Sequence, residues 1–174
     1  DLAGHRQSSY HTAKQAQGEF EALLTNTRAV FVDLVRDPFM RSTNNCTQIF
    51  PSLRFAYERL APDASNLGLA DADGNIYCAI NPVQGERNIA GQAEFIAAVE
   101  SMELSLGNYA SRSATEAPAL SVAYPVLSFD GSIQTVVFAT IETRWLETWQ
   151  EKAALPTGTT LTLFTPDGEV LWRH

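Results

Sequence analysis

Apolar positions recur at three-to-four spacing from Phe20 through Leu23 and Leu24, Thr27, Val30 and Phe31 to Leu34, which predicts one long helix from residue 8 to about residue 40. Its start, through Gln17, is polar all round, so that end is expected to project from the body of the domain. Asp37-Pro38 ends it, because the residue before a proline is driven out of the α region. A second helix is expected over Thr43 to Leu60, with Cys46, Ile49, Phe50, Leu53, Ala56, Tyr57 and Leu60 on one face. Pro51 lies inside it, so the helix either begins there or kinks.

After Pro62 the period changes to two. Apolar runs flank an Asp-Gly pair three times: Asn66–Ile80 around Asp73-Gly74, Leu120–Ile141 around Asp130-Gly131, and Thr159–Trp172 around Asp167-Gly168. Such a pair between apolar runs is a hairpin signal, because glycine takes the positive φ of a tight turn and aspartate bonds the turn backbone. Between the first two hairpins lie a Pro/Gly loop (Asn81–Glu86), a short helix over Ala90–Met102 with Phe95, Ile96 and Val99 as its stripe, a strand over Gly107–Arg112, and a turn over Ser113–Pro118. The strand Ile133–Ile141 is apolar on both faces and is expected at the centre of the sheet. Pro125 marks its own strand, Ala119–Leu127, as bulged or near an edge. Trp145–Ala154 reads as a helix and Leu155–Gly158 as a linker. The order predicts an α+β fold: a long N-terminal helix, then a five-stranded antiparallel sheet flanked by helices.

Composition narrows the function. At 174 residues the chain fits one domain with a little to spare, and a net charge of -8 argues against nucleic acid as a partner. The nearest thing to a basic cluster, Arg28, Arg36 and Arg41, is interrupted by Asp33 and Asp37 and reads as a solvated helix face. No stretch approaches the roughly 20 apolar residues of a membrane span. The polar start at Asp1 and the stop directly after a strand suggest a piece of a longer protein. Catalysis finds no footing: His5, His11 and His174 are all terminal, leaving no internal histidine for a Ser/His/Asp arrangement, and Asp71 and Asp73 are accounted for by turn chemistry. No metal or cofactor is expected, since no histidine lies near Cys46 or Cys78 in sequence. Those two cysteines are buried free thiols or a disulfide; composition leaves both open. Asn45-Cys46-Thr47 fits a glycosylation sequon, a short pattern with frequent chance matches.

The stripe Phe20, Leu23, Thr27, Val30, Leu34 steps by 3, 4, 3 and 4, as a helix–helix seam prefers. It allows a homodimer through the N-terminal helix, with Leu24 and Phe31 facing the domain, or one wide stripe that covers the protein's own sheet.

Taken in order, several segments resemble the extracytoplasmic Cache (PDC-type, PAS-like) sensor domains of bacterial transmembrane receptors. They are the long first helix, Asn44-Asn45-Cys46 opening the second, Asn66 to Cys78, Asn88 to Phe95, Leu106-Gly-Asn-Tyr109, Ala123-Tyr-Pro-Val126, and Trp145-Leu146 after the last strand. The resemblance covers about residues 8 to 153 and divides the chain into a long helix (1–42), a sensor domain (43–154) and a hairpin (155–174) that resembles the start of a second such lobe. It implies a periplasmic location, membrane spans elsewhere in the full-length protein, and an output module such as a histidine kinase, a diguanylate cyclase or a chemotaxis signaller. Since disulfides persist outside the cytoplasmic membrane, it also implies a Cys46–Cys78 bridge.

Carried over by position, the ligand site of such domains would draw on Asn88, Gln92, Phe95, Tyr109, Ser111, Arg112 and Tyr124, between the segment Asn88–Phe95 and a sheet face bearing Tyr109 and Tyr124. Arg112 is the one cation of the set, suited to a carboxylate. Where amino-acid binders of the family carry an Arg that grips the ligand carboxylate, this chain has Gln92. The implied ligand is a small polar or carboxylated metabolite. The rival from another class is a cytosolic PAS-like module that holds a haem or flavin, or only dimerises.

Overall fold

The computed structural model describes residues 2–107, 119–164, 168 and 170–173. The first helix, α1, spans Leu2–Val35, starting earlier than its apolar stripe does. It stops as expected before Pro38: Asp37 takes extended angles (φ -64°, ψ 120°), and its carboxylate accepts a bond from the Phe39 N–H at 2.9 Å to cap a 3-10 turn, Pro38–Arg41. Helix α2 spans Cys46–Leu60 and is capped by Asn45, whose side-chain oxygen accepts from the Thr47 N–H. It runs through Pro51 instead of starting there. In the second turn of a helix, a proline leaves only one carbonyl without its helical donor.

Five strands follow: β1 (Ala64–Ala70), β2 (Ile76–Ala79), β3 (Ser105–Leu106), β4 (Ala119–Leu127) and β5 (Ile133–Glu142). They form one sheet in the order β2-β1-β5-β4-β3, antiparallel throughout. Strand β5, apolar on both faces, is the middle strand, as its pattern predicts. The third strand differs from expectation. It pairs Ser105 with Ala123 and Leu106 with Val122, earlier in the chain than Gly107–Arg112, of which residues 108–112 lie outside the described ones. Pro125 is accommodated by register. The Gly107 N–H donates to the Ser121 carbonyl, so the odd-numbered residues of β4 point their backbone groups toward β3, which ends opposite Ala123. The missing N–H of Pro125 therefore falls beyond β3 and costs no ladder bond. Helix α3 (Ala93–Ser101) connects β2 to β3, and α4 (Arg144–Lys152) follows β5. A separate two-stranded sheet, β6 (Thr162–Phe164) with β7 (Val170–Arg173), closes the chain.

Both faces of the sheet are covered. Val30, Phe31 and Leu34 of α1 and Ile49 and Leu53 of α2 pack on Leu67, Leu69, Val122, Val126, Val137, Ala139 and Ile141. On the other face Phe95 and Ala98 of α3 pack on Ala70, Ala123, Val136 and Phe138. The α1 stripe is spent within the protein: Thr27 and Val30 are wholly buried, Leu34 is 5% exposed, and Phe20 stacks on Trp145 with ring centroids 5.8 Å apart. This corrects the seam reading. Thr27, Val30 and Leu34 cover the protein's own core, so they are not free to meet a symmetric partner. At the sheet edge the Tyr77 hydroxyl bonds the Thr135 hydroxyl at 2.7 Å, and Thr135 donates to the Ala70 carbonyl. Burial pushes the Tyr77 phenol above its ordinary pKa, against the opposing effect of the Thr135 bond.

Cys46 and Cys78 are joined, their Cα atoms 5.2 Å apart, and the bridge fastens the first residue of α2 to strand β2. Their separation of 32 residues sets the stabilisation expected from loop-closure entropy at roughly 3–4 kcal/mol. Cys46→Ala/Cys78→Ala should therefore unfold at lower urea concentration by about that free energy, with the slope of the transition rising as the unfolded chain expands. Non-reducing mass spectrometry of the wild type should find no free thiol.

Candidate functional site

The face of the sheet under α3 is built differently from the face under α1 and α2. Register identifies its members. Ser105, Ala123, Phe138, Gly68 and Ala79 lie opposite one another across β3, β4, β5, β1 and β2. This first row is small apart from Phe138, whose ring lies over Gly68. A Cβ on Gly68 would stand 2.3 Å from the Phe138 Cζ, so only glycine leaves the ring its place.

One step along the strands is a second, polar row. Gly107 bonds Ser121, Ser121 faces Thr140, and Thr140 faces Asn66. At the usual strand spacing this row is about 14 Å long. Asn66 closes one end: its amide donates to the Asn81 carbonyl, and its side-chain oxygen accepts from the Asn81 N–H. The half-buried hydroxyls of Ser121 and Thr140 make no hydrogen bond with any described residue. At the other end Glu94, in the first turn of α3, lays its carboxylate against Gly107. A Cβ on Gly107 would stand 2.2 Å from the Glu94 Oε2. Glu94 is 5% exposed.

The residues expected from sequence do not form one cluster. Asn88 is a structural clamp. Its amide donates to the Asp73 carbonyl (3.0 Å) and the Asn75 side chain (2.8 Å), and its oxygen accepts from the Ala90 N–H (2.9 Å). These bonds pin the chain to the first hairpin turn, where the Asp71 carboxylate holds the Asp73 and Asn75 N–H groups. They also explain why α3 starts at Ala93 and not at Ala90. Gln92 is exposed at the N-cap of α3 and makes no side-chain capping bond. Phe95 is buried among Ala70, Ala123, Val136 and Phe138, a core residue beneath the helix. Tyr109, Ser111 and Arg112 lie outside the described residues.

Tyr124 requires a correction. It shares its face with Val122 and Val126 and meets Phe31 of α1, ring centroids 6.3 Å apart. It therefore lies on the opposite side of the sheet from Asn88–Phe95 and cannot line a pocket with them. Ser121, Thr140, Phe138 and Glu94 take its place on the α3 face. The parity of the strands could have found the first three, since Val122 and Val137 each neighbour a residue of opposite orientation. Among the described residues no group of three or more His, Cys, Asp or Glu is placed to hold a metal, and no helix is long and apolar enough to cross a membrane.

A five-stranded antiparallel sheet in this order, with a long helix on one face and a short one on the other, is the fold of extracellular sensor domains, as the resemblance implied. Solved structures show it directly. The chain is similar to an extracellular ligand-binding receptor of Desulfohalobium retbaense (TM-score 0.73, 17% identity, 92% of this chain and 30% of that one). It is similar to the sensory domain of the Campylobacter jejuni chemoreceptor Tlp3 with isoleucine bound (0.72, 16%, 99% and 70%). It is also similar to the extracellular domain of rpHK1S-Z16, assigned as a histidine kinase (0.70, 24%, 99% and 72%). The chain thus spans less than a third of the first of these and about 70% of the other two. No family profile matches it, and no curated protein does.

Tyr124→Ala should behave as a core truncation, lowering unfolding free energy by about 2–3 kcal/mol through the lost contact with Phe31. Asn88→Ala should instead leave global stability nearly intact and raise amide exchange at Ala90, whose N–H loses its acceptor.

Proposed function

We propose that this chain is the extracytoplasmic small-molecule-sensing domain of a bacterial signal-transduction receptor, a histidine kinase, diguanylate cyclase or chemoreceptor, and that its ligand lies on the α3 face of the sheet along the polar row. The observation that carries the site is the asymmetry of the two faces. One is filled by α1 and α2. The other combines small residues, an aromatic floor in Phe138 and two half-buried hydroxyls without described partners, the mixture of apolar wall and few polar groups that small-molecule sites use. Isoleucine bound to the Tlp3 domain, which has the same fold, supports a ligand of metabolite size. The disulfide supports a periplasmic location over a cytosolic cofactor-binding or dimerisation module, because such bridges persist in oxidising compartments. The separation of the β6–β7 hairpin from the main sheet supports its reading as the opening of a second lobe. A homodimer through α1 would have to use the polar outer face of that helix.

In this reading ligand and long helix sit on opposite sides of one sheet. The turn after α3 reaches back to α1 through an ion pair, Arg28 to Glu103, at 3.0 Å. A ligand that holds α3 closer to the sheet in one state shifts the population of α1 positions, limited by its differential affinity for the two states.

A thermal-shift screen of the purified domain against small polar metabolites tests the site. A ligand that raises the melting temperature of the wild type should lose that effect in Ser121→Trp, which fills the row, and keep it in Tyr124→Ala. A ligand whose affinity is unchanged by Ser121→Trp, with circular dichroism intact, would place the site elsewhere.

A further inference from the structure

We propose that this chain pairs with a second copy of itself through the outer side of α1 and α2, each copy seating its Phe55 in a basin on the other. Charge is divided unevenly along the chain. Residues 1–60 carry seven Lys and Arg against six Asp and Glu, whereas residues 61–174 carry five against fourteen. Two copies that each bear a net charge of -8 repel one another, and the α1–α2 layer is the part of the fold that adds nothing to this repulsion. On its outer side acids already sit beside bases: Asp33 with Arg36 and Arg59, and Glu58 with Arg54. Two such faces meet without forcing like charges together.

A basin of about 350 Å³ lies on that side, between the two helices. The Asp33–Arg59 pair bridges the helices on its rim at 2.8 Å, and Asp37 bridges them again by accepting from the Ser52 hydroxyl. Val30, Leu34 and Ala56, packed from below by the core, supply an apolar floor, and Pro51 lies beside them. Phe55 stands in the wall, 66% exposed. Left in water, an apolar side chain of that size forgoes roughly 1.5–3 kcal/mol of burial. Phe129 is at least as exposed, but the Arg41 guanidinium lies over its ring, 4.4 Å from the centroid; no described ring or cation stacks on Phe55. Knob and basin share one face, which is the condition for a two-fold contact in which each Phe55 fills the other copy's basin. Ala22, Asn26 and Ala29, spaced with Asp33 at 4, 3 and 4 and all exposed, keep the adjoining side of α1 low enough for close approach. A strip one helix diameter wide along the 34 residues of α1 covers about 500 Å². The outer side of α2 adds to it, toward the roughly 800 Å² per partner of a stable pair.

Sedimentation of the purified chain from micromolar to millimolar concentration tests this. A monomer–dimer equilibrium is expected, tighter at high salt than at low, because salt screens the repulsion between two acidic chains. Phe55→Asp, at an exposed position, should raise the dissociation constant about thirtyfold or more, as loss of an interface anchor does, with circular dichroism unchanged. Phe129→Asp, which removes a ring at least as exposed elsewhere on the surface, should leave the dimer as it is. A wild type that stays monomeric at millimolar concentration overturns the pairing and leaves the basin to another occupant. A dimer that survives Phe55→Asp, or one that Phe129→Asp disperses instead, overturns it as well. Each of these outcomes leaves the ligand site on the α3 face as it stands, since that site lies across the sheet from α1 and α2.

Discussion

Strand β5 is apolar on both sides, and this imposes the architecture. A strand with Val137, Ala139 and Ile141 on one face and Val136 and Phe138 on the other is stable only if both faces are kept from water. The chain meets the requirement unequally. Before the sheet it supplies two helices that present a broad apolar surface, and within the sheet a single nine-residue helix that covers less. The polar row lies on this second face. Among the described residues, the fold thus separates a face packed by α1 and α2 from a face packed by α3 that also carries the polar row.

Much of this was legible in the pattern of residues. The end of α1 at Pro38, the hairpin at Asp71–Asn75 and the central place of β5 follow from local chemistry, and the α+β order follows from them. The bridge between Cys46 and Cys78 was legible only through family resemblance, since two cysteines 32 residues apart are equally consistent with free thiols. The site was far less legible, for a physical reason. A period of two says that Tyr124 shares a face with Val122 and Val126, but not which helices cover that face. That is decided by how the connections cross the sheet. Asn88 misled for a different reason: its amide looks available in sequence, but its N–H groups are consumed by the turn at Asp73–Asn75 and its oxygen by the Ala90 N–H. Glu94 carried no signal at all, because its burial depends on Gly107 coming to lie beneath it.

The long helix is tied to the sheet at several separated points. Phe31 meets Tyr124, Phe20 stacks on Trp145 after β5, and Arg28 reaches round the β3 edge to Glu103. The exposed ion pair contributes little to stability. Its interest is positional, since among these contacts it alone joins α1 to the turn that follows α3. The disulfide holds α2 to the opposite edge of the sheet, so that helix is anchored covalently, while α1 is held by side-chain packing and by two surface ion pairs, Arg28 to Glu103 and Asp33 to Arg59 of α2.

Gly68 gives the sheet a built-in lever. A single added methyl there collides with the Phe138 ring at 2.3 Å, and the ring has Ser121 and Thr140 in the next row along the strands. An alanine at position 68 would thus drive the protein's own aromatic ring out of its place on the α3 face.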